Sequence, residues 1–188
     1  MAATAKHFPG HGAVVADSHL ALPVDRRELV DLGDDLAPYR RLIANGLPAV
    51  LAAHILFPAV DEAPASASSR WIVDVLRGEL QFQGVVFTDD MSMAGAAAAG
   101  GIVERSRRAL AAGCDMVLIC NDRPGAVEVL DRLNVEPEPA SRLRLVRMRG
   151  RDGMSRTQLL ASSEWQSCRA LLARCTAPPT LELQAGRA

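Results

Sequence analysis

Side chains able to do chemistry cluster at a few points of this chain. Lys6, His7 and His11 lie in Lys6-His7-Phe8-Pro9-Gly10-His11-Gly12, and Asp17-Ser18-His19 follows closely. His54 comes next, then the adjacent pair Asp89-Asp90, then Asn121-Asp122. Imidazole is the side chain whose unperturbed proton exchange falls near neutral pH. Carboxylates serve as bases or nucleophiles, and lysine as a cationic hydrogen-bond donor. Such a set suits proton transfer on a polar substrate. A zinc site is the alternative reading of His7, His11, His19 and Asp17, since all four are metal-ligating types. Pro9, Gly10 and Gly12 argue against a helix at the first motif, so His7 and His11 are not a helical i, i+4 pair. The glycines let the backbone turn tightly there.

Four apolar runs set up these residues: 2–7, 49–55, 84–90 and 114–121. The last three are rich in Val, Ile and Leu without alternation, as parallel strands covered on both faces are. Helical patterns lie between them. One runs from Pro38 to a stop at Asn45-Gly46, and one is capped by Ser68-Ser69 and continues through Trp71, Ile72, Val75 and Leu76. Others span 102–112, ending at Gly113, and 124–133, beginning with Pro124. Two further helical stretches, 138–148 and 155–175, follow, and 176–188 reads as a disordered tail. Alanines 96–99 read as helix-favouring filler or loop, and Arg105, Arg107 and Arg108 as a solvated helix face.

Strand, loop and helix thus repeat in order, the pattern of parallel βα units. Every apolar run ends at a polar group: Lys6-His7, His54, Asp89-Asp90 and Asn121-Asp122. In parallel α/β folds the C-terminal strand ends and the loops after them form the active face. The expected fold class is α/β, the C-terminal half (about four βα units) of a (β/α)8 barrel plus C-terminal helices, with residues 1–175 as one partial barrel domain. A closed barrel has eight strands and typically ~250 residues, and this chain has 188. A half-barrel with open edges is expected to be weakly stable or to self-associate, and to turn over poorly.

Composition narrows the partners. Twenty-one basic and 22 acidic residues leave a net charge of −1, which offers no basic footprint for nucleic acid or an anionic membrane. Aromatics at 4% provide no row of stacking platforms for single strands. No run approaches the ~20 apolar residues that span a bilayer, and no secretory pattern opens the chain. Cys114, Cys120, Cys168 and Cys175 form no Cys-x-x-Cys pair and read as reduced, mostly buried thiols. The expected setting is cytoplasmic.

The heptapeptide at 6–12, the Asp17-Ser18-His19 triplet and Thr88-Asp89-Asp90 together resemble the signature of glycoside hydrolase family 3, in particular its bacterial cytoplasmic β-N-acetylglucosaminidases of cell-wall recycling. Leu22-Pro23, Ala53-His54-Ile55, the run 84–93 and the run 112–118 extend the resemblance, which weakens after Leu133. It implies retaining hydrolysis of terminal N-acetyl-β-D-glucosaminyl units through a covalent glycosyl-enzyme, on muropeptides or chito-oligosaccharides, with no cofactor and no metal. It further implies Asp89 as nucleophile, His19 as general acid/base, Asp17 as its orienting partner, and Lys6 and His7 as sugar-hydroxyl binding residues. His54, at the next strand end, is a further substrate-binding candidate, and its plainer reading is a hydrogen-bonded core or rim residue. A histidine donor is physically sound, because imidazole holds and releases a proton near neutrality. A carboxylate beside it fixes its tautomer, as in a serine-protease triad. Strand alternation alone does not decide between Asp89 and Asp90; the family pattern favours Asp89. The earlier-strand Asp and Arg that the family uses on the sugar have no counterpart here. Three alternatives stay open: a phosphorylase resolving the same intermediate with phosphate, a β-glucosidase specificity, and a non-catalytic binding fragment.

Overall fold

The computed structural model describes residues 2–97, 100–136, 138–150 and 153–175. The expected tail, most of the tail side of the alanine run (Ala98 and Ala99) and Met1 lie outside the described residues. The chain forms two compact units, Met1–Arg149 and Gly150–Ala188.

The first unit is built on one parallel sheet of four strands in the order β1 (Thr4–Phe8), β2 (Ala49–Ala52), β3 (Val85–Asp90) and β4 (Met116–Leu118). Between them come α1 (Gly33–Ala44), a π helix (Arg70–Glu79), α2 (Ala94–Ala97) and α3 (Ile102–Ala111); α4 (Arg123–Arg132) and α5 (Pro139–Arg147) follow β4. The alternating βα order is the one the sequence pattern requires. The strands are shorter than the apolar runs that announced them. The extra apolar residues pack as loops: Ile55, just past β2, is completely buried.

The register gives the sheet two different faces. Lys6, Leu51, Phe87 and Met116 stand side by side across all four strands. This row is partly open, with Lys6 exposed and Met116 39% exposed. The opposite row, Ala5, Val50 and Val86, packs into the helix-side core, and Thr88 behind it is fully buried. That core is centred on Trp71, whose ring meets Phe57 at 5.0 Å and Phe8 at 6.0 Å; Tyr39 closes on Phe8 at 5.2 Å. Each such side chain contributes roughly 1.5–3 kcal/mol by leaving water. Trp71, Ile72, Val75 and Leu76 form the buried stripe of the π helix as expected, and Ser68 Oγ accepts the Trp71 N–H at 3.1 Å.

Some expectations shift. Helix α1 begins five residues before Pro38, which sits inside it. The turn Leu29–Leu32 runs straight into α1 and supplies its start, so proline is not the first helical residue. The stop at Asn45-Gly46 holds, with the Gly46 N–H on Ile43 O and the Leu47 N–H on Leu42 O. Only Cys114 is buried, its thiol pushed up to about 12 by that burial; Cys120, Cys168 and Cys175 are exposed, because each follows a strand end or lies on a solvated helix. Arg107 and Arg108 are on a solvated face paired with Glu104, but Arg105 turns inward, with its Nε out of solvent.

At the N-terminal end of β3, the carboxylate of Asp115 is 1% exposed and carries the negative charge of a tight polar knot. It accepts from Arg77 Nη2 at 2.9 Å, from Arg144 Nη2 at 2.7 Å and from the Val86 N–H at 2.8 Å. Two guanidinium groups and a backbone amide compensate a charge that burial alone would make costly. The knot ties the π helix and α5 to the sheet, far from the polar strand ends.

In the second unit the expected single stretch is two helices, α6 (Arg156–Ala161) and α7 (Ser163–Arg174). Ser162 divides them: its backbone is extended, and its Oγ accepts the Trp165 N–H at 3.1 Å, capping α7.

Candidate active site

The polar strand ends converge where the sheet opens. On β1 the pairing with β2 slips between Lys6 and Phe8. The slip sends Phe8 into the helix-side core while Lys6 stays on the open face, and His7 lies between them, half-exposed. Such irregularities re-aim side chains at the ends of strands. Gly10 then passes so close to α1 that a Cβ there would lie 2.7 Å from Asp35 Oδ1, so only glycine fits. Asp35 in turn binds Arg27, which also grips Asp25.

A second slip falls at the end of β3, between Phe87 and Asp90. Thr88 Oγ1 accepts the Leu118 N–H at 3.1 Å there, a side chain standing in for a ladder partner. The two aspartates part at this point. Asp89 shares the open face with Phe87, and its Oδ2 lies 3.6 Å from His7 Nε2, with the carboxylate 18% and the imidazole 36% exposed. Asp90 turns to the loops: it accepts the Ser92 N–H at 2.9 Å, Ser92 Oγ at 2.6 Å and the Cys120 N–H at 3.0 Å. Burial would raise the Asp90 carboxyl, but these donors outweigh it and hold it below the usual range. Asp90 is therefore engaged in structure, while Asp89 accepts the Asp90 N–H through Oδ1 at 2.9 Å and keeps Oδ2 toward His7. For His7, burial is the largest influence and lowers its pKa; Asp89 opposes that, while Lys6, His11 and His19 add to it.

Asp17 and His19 form the expected dyad. Asp17 Oδ1 meets both the His19 N–H at 2.9 Å and His19 Nδ1 at 2.8 Å. These two bonds hold the Asp17 carboxyl below its ordinary value. With Nδ1 donating to the carboxylate, Nε2 is left free for proton exchange. The dyad is well exposed, His19 72% and Asp17 55%, and makes no described hydrogen bond to Asp89. His11 lies 6.4 Å from His7, ring to ring, and its Nε2 is out of solvent without a partner.

His54 is a hydrogen-bonded interior residue. It is 1% exposed, with Nδ1 2.7 Å from Ser66 Oγ and Nε2 3.1 Å from the Asp90 carbonyl oxygen. A carbonyl only accepts, so Nε2 carries the proton and Nδ1 accepts the Ser66 hydroxyl. Burial lowers the pKa of this ring, which keeps it neutral. Both nitrogens are spent inside the protein. Nothing in the Ala-Ser-Ala-Ser-Ser stretch at 65–69 marks Ser66 as a partner. Asn121 and Asp122 also divide: Asp122 caps α4 by accepting the Gly125 N–H at 2.9 Å, a structural duty. No group of three or more metal-ligating side chains is gathered for a metal among the described residues.

The model of the glycosyl hydrolase family 3 N-terminal domain matches residues 1–147. The chain belongs to glycoside hydrolase family 3. The six site candidates Lys6, His7, Asp17, His19, His54 and Asp89 fall inside the matched span. A β-hexosaminidase of Thioalkalivibrio sulfidiphilus is 50% identical over 183 residues, covering 97% of this chain and 53% of that protein. NagZ of Neisseria gonorrhoeae, solved in complex with N-trifluoroacetyl-D-glucosamine, aligns with a TM-score of 0.76 at 38% identity, over 94% of this chain and 51% of its own. A family 3 β-N-acetylglucosaminidase of Paenibacillus aligns with a TM-score of 0.73 at 35% identity, over 88% of this chain and 35% of its own. The chain spans about half the length of the curated relatives it matches. Its fold is accordingly the α/β architecture of half a family 3 barrel with helices after it.

Proposed function

We propose that this chain carries the reacting groups of a retaining β-N-acetylhexosaminidase acting on terminal N-acetyl-β-D-glucosaminyl units. The observation that carries the reading is the parting of Asp89 from Asp90. One carboxylate is bound up by Ser92 and Cys120, and the other keeps Oδ2, on the open face, 3.6 Å from His7. Retaining glycoside cleavage needs a nucleophile and a proton donor on either side of the bond. Asp89 attacks the anomeric carbon, and protonated His19 delivers its Nε2 proton to the departing oxygen. The glycosyl–Asp89 ester then forms as the aglycone leaves. Neutral His19 next takes a proton from water as that water attacks the same carbon, and Asp89 is released. Asp17 holds the ring in place through Nδ1, while Lys6 and His7 donate to sugar hydroxyls. A histidine donor also spares Asp89 a second carboxylate across the sugar. Muropeptides and chito-oligosaccharides in the cytoplasm are the substrates we assign; no helix among the described residues is long and apolar enough to cross a membrane.

The test is hydrolysis of an aryl N-acetyl-β-D-glucosaminide by the full chain, followed by NMR of the newly freed sugar. The β anomer should appear first, with or without phosphate in the buffer. First appearance of the α anomer, or no turnover, sinks the reading; a sugar 1-phosphate would replace hydrolysis by phosphorolysis.

A further inference from the structure

The loop that carries the dyad is held at both ends. Phe8 is buried at one end, and at the other the Asp25 N–H binds Leu56 O at 2.9 Å while the Leu56 N–H binds Pro23 O at 2.9 Å. Between them, Asp17 makes only local bonds, to His19, Leu20 and Ala21. Among the described residues, one hydrogen bond ties residues 10–21 to another element: the Gly95 N–H donates to the Ser18 carbonyl at 3.0 Å. Ser18 is the middle residue of the dyad triplet and is itself buried.

Gly95 belongs to the nucleophile's side of the site. The Asp90 carbonyl accepts the Met93 N–H at 3.1 Å and the Met93 carbonyl accepts the Ala96 N–H at 3.1 Å, so α2 hangs directly from the end of β3. The same Asp90 carbonyl receives His54 Nε2. A Cβ on Gly95 would lie 2.9 Å from Ser18 O, 3.2 Å from His54 Cβ and 3.3 Å from His54 O. His54 cannot give way, being buried and bonded through both nitrogens. Of the two neighbours, the exposed loop is the one that must move.

We propose that Gly95 is a positioning residue of the proton donor: it seats Ser18 against the Asp90–His54 junction and so fixes the Asp17–His19 dyad relative to Asp89. His54 is the floor of this seat rather than a sugar ligand. The assignment rests on the proposed roles of Asp89 and His19. Its physical content is that a displacement of about 1 Å at a reacting group costs on the order of 10²-fold in rate.

The experiment compares the full chain with its Gly95→Ala variant. Hydrogen exchange of the amides in residues 10–21 should quicken in the variant; unchanged exchange overturns the proposal, and this arm needs no turnover. With an alkyl N-acetyl-β-glucosaminide, whose leaving group needs protonation, kcat/KM should fall about 10²-fold, while a dinitrophenyl glycoside, which leaves unaided, should lose about threefold or less. An equal loss on both means a merely structural role. Gly95→Ala added to His19→Ala should cost nothing further, and additive losses overturn the assignment. A chain with no turnover sinks the functional reading and leaves the exchange arm to decide the seat. Should the alanine variant not fold, the unmodified chain decides: its Gly95 amide should exchange far more slowly than those of Gly12 and Gly101, and exchange at their rate overturns the seat.

Discussion

The two halves of the candidate site are built to opposite standards. Around Asp89 the backbone is clamped from every side. His54 holds the Asp90 carbonyl, Asp90 gathers Ser92 and Cys120, and Thr88 fills the gap in the ladder to β4. Around His19 the bonds are local and the side chains face water. A nucleophile attacks one fixed carbon and gains from rigidity. A donor that must give a proton to the aglycone and later take one from water serves a site whose contents change, and a loop can accommodate that. The contrast also divides the two kinds of evidence a variant would give: changes near Asp89 should register in stability as well as rate, and changes near His19 in rate alone.

The largest effect should come from Asp89→Ala. Turnover should fall on the order of 10⁴-fold or more for every aglycone, as for other nucleophile deletions. The steady-state rate on two aryl glycosides checks this, and a loss confined to one of them would break the contrast. His19→Ala should cost about 10²–10⁴-fold on poor leaving groups and much less on activated ones. Its thermal midpoint should match that of the parent chain, because the bonds of the dyad side chains are local; a marked drop would break the contrast.

Asp115→Ala sharpens the contrast from the far end of the sheet. It leaves Arg77 and Arg144 without their shared partner, and denaturant unfolding should register a loss of about 3–5 kcal/mol. His54→Gln is expected to be milder, about 1–3 kcal/mol, since it disturbs a buried hydrogen-bonded pair. Its pH signature is the more specific test. Burial lowers the pKa of His54, and of His7, below 6.5, so the unfolded chain binds protons more readily than the folded one. Stability should therefore fall as pH drops through 6.5 and level off above it, and His54→Gln should make that slope shallower. Midpoints of urea unfolding across that range measure it.

The sequence makes the frame and most of the site legible. Parallel strands show as unbroken apolar runs, and the functional face shows because each run ends in a residue that can do chemistry. Asp89 and Asp90 are not separated by alternation, because both faces of β3 are apolar in sequence. Only the packing distinguishes them: Val86 and Thr88 lie against the helices, while Phe87 shares its face with Asp89. The start of α1 is hidden because Pro38 mimics a first helical turn. His54 reads as a strand-end candidate like any other, since its partners Ser66 and Asp90 lie far along the chain and meet it only in the fold. Gly95 is the least visible. It looks like one more small residue in an alanine-rich stretch, and its meaning depends on a carbonyl from the loop before β2.

The central claim, that Asp89 alone is the nucleophile, has one direct test. The full chain is incubated with a fluorinated N-acetylglucosaminyl fluoride that forms the glycosyl-enzyme quickly and releases it slowly, then digested, and the modified peptide is sequenced by mass spectrometry. A single sugar adduct is expected on Asp89, absent from Asp89→Ala and still formed by Asp90→Asn. An adduct on Asp90, or turnover with no covalent adduct at all, would contradict it.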